Sequence, residues 1–154
     1  MRFLISLSRL SCTLLAISVV ASYAYQASTI PSSNLIQVDD LVKIIQAPGG
    51  EKPLILQVGS RVLFQQAHIA GSEYVGAAST DAGLQALKKR VEGLPKTKFI
   101  VLYCGCCPWS HCPNAEPADK TLRALGFSNV KTLYIANNFG TDWVQKGYPT
   151  AKGE

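Results

Sequence analysis

The chain has 154 residues, 47% of them hydrophobic and 16% charged, with a formal net charge of +5. Its length suits one domain with a real core, and no internal repeat or low-complexity segment divides it. The lysines are scattered apart from "KKR" at Lys88 to Arg90, a run short enough to be a solvated helix face, so the charge implies no nucleic-acid partner.

Residues 1–24 place Arg2 and Arg9 ahead of an apolar run from Leu10 to Val20 and end in small residues, with Ser22 and Ala24 spaced like a cleavage site. This is the pattern of a secretory signal peptide. The run is shorter than the about 20 residues of a membrane span. Export to the periplasm without stable membrane insertion is therefore expected, with tethering by an uncleaved N-terminal segment as the alternative. Cleavage after Ala24 removes Arg2, Arg9 and Cys12, which leaves about 130 residues, a net charge of +3 and four cysteines. Exported chains meet oxidising conditions in which disulfides persist. Residues 25–34, "YQASTIPSSN", read as a linker, and the domain is expected over residues 35–150.

A helix is predicted from Val38 to Ala47, with Leu41, Ile44 and Ile45 toward the core. After the turn "APGGEKP" comes the continuous apolar run Leu54 to Val58, and a second such run spans Phe99 to Cys104. Both read as strands buried on two faces, as in a parallel sheet. Between them, Thr80 can cap a helix whose Leu84, Leu87, Val91 and Leu94 recur at helical spacing. Asn114, or a residue just before it, opens a further helix in which Pro117 is tolerated only within the first turn. That helix is expected to bury Ala118, Leu122 and Leu125 and to stop at Gly126. Val130 to Ile135 forms another strand, and "GTDWVQKG" a last short helix carrying Trp143. Strands alternating with helices imply an α/β sandwich with a largely parallel sheet.

Between the second run and the Asn114 helix lies "YCGCCPWSHCPN", with Cys104, Cys106, Cys107, Cys112 and His111 within twelve residues. In open α/β sheets ligands bind beyond the carboxyl ends of the strands. A helix N-terminus there lowers the pKa of a nearby thiol and attracts anions. The position favours a reactive thiolate. Four thiols and an imidazole also suffice for zinc or copper(I), but a structural zinc site draws ligand pairs from two segments and a second pair is missing. No metal and no cofactor are assigned, and without Cys-x-x-Cys-His no covalent haem is expected.

The chain resembles the rhodanese family over Leu35 to Pro149. The resemblance rests on "LILQVGSRVLFQQAHIAGSEYVG", on "FIVLYC" leading into a loop, and on "LRALGFSNVKTLYIANNFGTDWVQKGYP". "HIAG" at His68 to Gly71 and "WVQKGYP" at Trp143 to Pro149 match the family pattern, and Cys104 takes the place of its nucleophile. This implies a rhodanese-like three-layer sandwich, a largely parallel central sheet flanked by helices. It also implies transfer of sulfane sulfur from a donor such as thiosulfate to a thiol acceptor through a cysteine persulfide. Non-catalytic binding modules of the same kind, and zinc or copper binding, are the alternatives.

The resemblance makes Cys104 the catalytic residue, with Cys107 the second candidate because its distance to "ALGF" is nearer that of the common loop. Gly105, Cys106, Trp109, Ser110 and His111 are expected to bind substrate, and Cys106 and Cys112 to form a disulfide or resolve the persulfide. A bridge from Cys112 to Cys106 or Cys107 is favoured over one between the adjacent cysteines. The Asp and Arg of the family pattern are replaced by Gln57 and Gly59, and the longer loop contains no Arg or Lys. His111 would supply a cation only when protonated, and His68 and Trp143 are expected to be structural. The partners implied are a small sulfur donor and a thiol acceptor, which can itself be a protein.

Overall fold

The computed structural model describes residues 29–153; the signal-peptide expectation, Cys12 and residues 25–28 of the linker lie outside them. The strands are β1 (Leu35–Ile36), β2 (Leu54–Gln57), β3 (His68–Ile69), β4 (Glu73–Tyr74), β5 (Ile100–Tyr103), β6 (Val130–Leu133) and β7 (Thr150–Ala151). The helices are α1 (Val38–Gln46), α2 (Arg61–Gln66), α3 (Asp81–Val91) and α4 (Ala115–Ala124). Strands β1-β6-β5-β2-β4 form one parallel sheet with β5 at its centre, and β3 pairs antiparallel with β7 in a separate ribbon.

Strand alternation assigns residues to two cores. Ile55, Val101 and Tyr103 join Leu41, Val42, Leu133 and Trp143 on one face, while Leu56, Ile100, Leu102 and Cys104 join Leu87, Val91, Ala118 and Leu122 on the other. All four residues of β5 are buried, because helices cover both faces. Its continuous apolar sequence follows from that placement.

Local chemistry sets the start of α3 and the end of α4 where the sequence places them, while α3 stops at Val91, short of the expected Leu94. The Thr80 hydroxyl accepts from Gly83 N to cap α3. Helix α4 closes with Gly126 at φ 87°, and Phe127 N donates back to Leu122 O at 3.1 Å, as a left-handed cap requires. Leu125 is 37% exposed rather than buried, since the chain turns away from the α4 core face there.

Two further expectations change, and one helix was not expected. Residues 29–34 are packed rather than a free linker: Ile30 is buried, Thr29 Oγ1 donates to Glu116 Oε1 at 2.7 Å, and Ser33 O accepts from Lys131 Nζ. Helix α2 has no apolar stripe to betray it, because Phe64 is its only buried residue and Val62 and Leu63 face outward. Its start is set by the Ser60 hydroxyl, which accepts from Leu63 N. The "GTDWVQKG" helix is one wide turn, Gly140–Val144, that buries Trp143.

Candidate functional site

The site begins where β5 ends. Tyr103, the last residue of that strand, points to the α1 face, where its hydroxyl accepts from Ile69 N at 3.2 Å and bonds Ser72 Oγ at 2.9 Å. Burial pushes its pKa up to about 12, so it stays a neutral phenol that ties β5 to β3. Tyr103→Phe leaves the Ile69 N–H without that partner, and a loss of about 1–3 kcal/mol is expected in urea unfolding; unchanged stability would show that the hydroxyl does not hold this corner.

Cys104 points to the opposite face and is 6% exposed. Gln57 and Gly59 hold it in place. Gln57 Oε1 accepts from Gly59 N at 3.1 Å and Nε2 donates to Cys104 O at 3.2 Å. One neutral amide thus ties β2 to the end of β5 where the family pattern would have a charged pair. A β-carbon on Gly59 would lie 2.8 Å from the Cys104 sulfur, so the absent side chain is what makes room for the thiol. Gly105 then turns the chain at φ 72°, with Phe139 Cβ only 2.8 Å from where its own β-carbon would be. Its carbonyl accepts from Phe139 N at 3.0 Å.

The four loop thiols converge. Cys104 and Cys106 sulfurs lie 2.9 Å apart, and Cys106 and Cys107 sulfurs 3.5 Å apart. Asn114, the residue before α4, is buried. It does not cap the helix; its Oδ1 accepts from Ser79 N at 2.8 Å and its Nδ2 donates to the Cys104 sulfur at 3.4 Å. All four are thiols in this structure, and the bridge expected from Cys112 to Cys106 or Cys107 is not formed in it.

The thiols do not share protons evenly. Hydrogen bonding to Cys106 and Cys112, together with burial, pushes the Cys104 thiol far up. The Cys104 S–H in turn lowers Cys106 to about 6, against the opposing effect of burial. Cys112 is lowered to about 7, first by Cys104 and further by the backbone N–H groups of Asn114 and Ala115 at the start of α4. Cys107 is pushed up to about 12, mainly by burial, and its thiol donates to His111 O at 3.3 Å. The direction makes Cys104 the thiol that holds its proton most firmly and Cys106 and Cys112 the more acidic ones.

A cleft of about 640 Å³ opens over this floor, lined by Cys104, Gly105, Cys106 and Cys107 together with Gln57, Gln66, Asn137, Asn138 and Phe139. Its polar side chains include amides and thiols, and among the described residues no Lys, Arg, His, Asp or Glu lines it. Cys112 is not part of the lining. Of the residues expected to bind substrate, Gly105 and Cys106 face this cleft, whereas Trp109, Ser110 and His111 do not. They form a single 3-10 turn docked by Trp109 N on Ala136 O. Trp109 packs on Tyr134, and the Ser110 hydroxyl and His111 Nδ1 bond each other at 2.7 Å. His68 is structural as expected: it is buried, its Nδ1 bonds Phe64 O at 2.8 Å, and its ring stacks on Phe64. Trp143 is fully buried with Nε1 donating to Pro149 O.

Sequence reasoning treated Asn114 only as a helix opener and Gln57 and Gly59 only as losses. The signal that could have found them is their position, two strand-end residues and one helix-start residue meeting at the carboxyl edge of the sheet.

No protein-family model matches the chain, and no curated protein matches its sequence. Solved structures do. The rhodanese-like domain of the Alr3790 protein from Anabaena sp. is 20% identical, with a TM-score of 0.57 over 77% of this chain and 79% of that one. A rhodanese-related protein from Thermoplasma volcanium is 18% identical, with a TM-score of 0.50 over 77% of this chain and 97% of that one. The thiosulfate sulfurtransferase from Pseudomonas aeruginosa is 24% identical, with a TM-score of 0.55 over 79% of this chain but only 20% of that larger protein. With its central parallel sheet flanked by helices and the thiol loop at the carboxyl end of the middle strand, the chain has the rhodanese-like fold.

Proposed function

We propose that the chain transfers sulfane sulfur through a cysteine persulfide formed on Cys106, with Cys104 as its proton-holding and resolving partner. The observation that carries this reading is the 2.9 Å approach of the two sulfurs on the floor of an open cleft beyond the central strand. The fold likeness to a thiosulfate sulfurtransferase supports the class of reaction. The sequence expectation put the first attack on Cys104. The geometry favours Cys106 instead, because its half-buried sulfur opens on the cleft while Cys104 is buried beneath it.

In the proposed reaction the Cys106 thiolate attacks the outer sulfur of a donor R–S–SH. The new S–S bond forms as the donor's breaks, and the electron pair leaves on R–S⁻. An acceptor thiol then attacks the outer sulfur of the Cys106 persulfide, carries it away as its own persulfide and returns Cys106 as thiolate. Without an acceptor, the Cys104 sulfur attacks the inner sulfur of the persulfide, its proton passes to the leaving hydrosulfide, and a Cys104–Cys106 disulfide remains until a thiol reduces it. The acceptor is a small thiol or a partner protein, and the reaction belongs in the exported, periplasmic setting that residues 1–24 suggest.

Reduced chain incubated with an organic hydropersulfide and acid-quenched at early times, before the Cys104–Cys106 disulfide closes, should gain about 32 Da, one sulfur atom, on intact-mass measurement. Cys106→Ser should gain none, and Cys104→Ser should gain the sulfur but release no hydrosulfide. Full loading of Cys106→Ser would return the carrier role to Cys104, and loading of neither the unsubstituted chain nor Cys104→Ser would end the sulfur-transfer reading.

A further inference from the structure

The Cys104, Cys107 and Cys112 sulfurs all lie within 4.8 Å of one another. They come from three positions, the end of β5, the middle of the loop and the approach to α4, so only the folded loop brings them together. The set contains no carboxylate and no imidazole, and His111 Nδ1 is engaged with Ser110. The three cysteines share the lining of a space of about 10 Å³ with Gly105, Trp109, Ala115, Leu133 and Ile135. That is at the lower limit for a single water and too small for any organic substrate.

We propose that Cys104, Cys107 and Cys112 form a three-coordinate site for one soft monovalent metal ion, of which copper(I) is the probe. Metal–thiolate bonds of about 2.3 Å place three sulfurs around a trigonal ion roughly 4 Å apart, so the triangle needs to contract by less than about 1 Å. An all-sulfur donor set selects soft ions. Zinc wants four ligands in a tetrahedron, and Cys106 is not part of the triangle, which disfavours zinc here. Each thiol that ligates gives its proton to solvent. The resulting negative charge is offset by the ion and by the backbone N–H groups of Asn114 and Ala115 directed at Cys112 at the start of the ten-residue helix α4. The missing second ligand pair noted in the sequence is not needed for a three-coordinate ion. This site does not depend on the sulfur-transfer reading and shares only Cys104 with it.

The test is an anaerobic titration of the reduced full chain with copper(I) held by the chromogenic chelator bicinchoninate, read as chelator absorbance lost. One equivalent should transfer to the unsubstituted chain. Cys107→Ser and Cys112→Ser should each weaken binding by about tenfold or more, since affinity follows the ligand count, while Cys106→Ser stays within about threefold. Cys104 is buried and its substitution can disturb the fold, so the decision rests on the other two ligands, with circular dichroism confirming that each variant is folded. Failure to take copper from the chelator, a stoichiometry other than one, or equal loss in Cys106→Ser and Cys107→Ser would overturn the site. Sulfur loading by mass separates the two readings: Cys106→Ser should lose sulfur and keep copper, and Cys107→Ser should do the reverse.

Discussion

Gly59→Ala is expected to lower stability by about 1–3 kcal/mol, the range for forcing extra volume into a packed interior, and to cut sulfur loading at least about tenfold as the thiols separate. The added β-carbon would stand 2.8 Å from the Cys104 sulfur, 3.1 Å from Gln57 Nε2 and 3.3 Å from Cys104 O. The carbonyl belongs to backbone held at the end of the central strand and cannot yield. The sulfur can move only by leaving Cys106 at 2.9 Å and the Asn114 amide at 3.4 Å. Relief of the clash therefore dismantles the cluster. Gly59→Arg, which restores the arginine of the family pattern, carries the same β-carbon and a guanidinium besides, so it should do worse than alanine rather than recover activity. Urea unfolding and intact-mass loading on the same samples check both effects; wild-type loading with unchanged stability in Gly59→Ala would refute the close packing.

The second large effect concerns charge. Thiosulfate carries two negative charges into a cleft whose lining, among the described residues, has no cationic side chain, so the unsubstituted chain should use it poorly and prefer a neutral polysulfide or a protein persulfide. Gln66 is an exposed residue at the end of α2 that lines the cleft. Gln66→Arg should lower the KM for thiosulfate about tenfold to hundredfold, because a charged hydrogen bond is worth about 1.5–3 kcal/mol, while leaving turnover of a neutral organic hydropersulfide unchanged. His111→Ala should alter neither, since His111 is outside the lining. Saturation of the unsubstituted chain at micromolar thiosulfate, with no gain from Gln66→Arg, would mean that backbone N–H groups alone bind the anion.

Much of the fold was legible because its signals are local. The apolar runs at Leu54 and Phe99, the Thr80 cap and the Gly126 stop each follow from a few adjacent residues. What escaped was short or without a pattern. Strands β1, β3, β4 and β7 are two residues each, too brief to show a period of two. Helix α2 buries only Phe64, and residues 29–34 look like a linker because what holds them, Glu116 and Lys131, is distant in sequence. The site divides in the same way. The thiol loop was visible as a cluster, but its members could not be ranked, since spacing says nothing about which sulfur opens on the cleft.

By itself the sequence determined the alternation of buried strands and helices, and with it the parallel sheet, because hydrophobic periodicity and helix caps are encoded within single elements. It also placed the cysteines at the end of the central strand, which is a matter of chain order. Only the tertiary structure decided that Gln57, Gly59 and Asn114 hold the Cys104 thiol, that Cys106 faces the cleft, and that Trp109, Ser110 and His111 do not. Those outcomes depend on distances between β2, β5 and α4, segments up to 57 residues apart from Gln57 to Asn114. A hydrogen bond or a 2.8 Å clash exists only once the sheet has set that register.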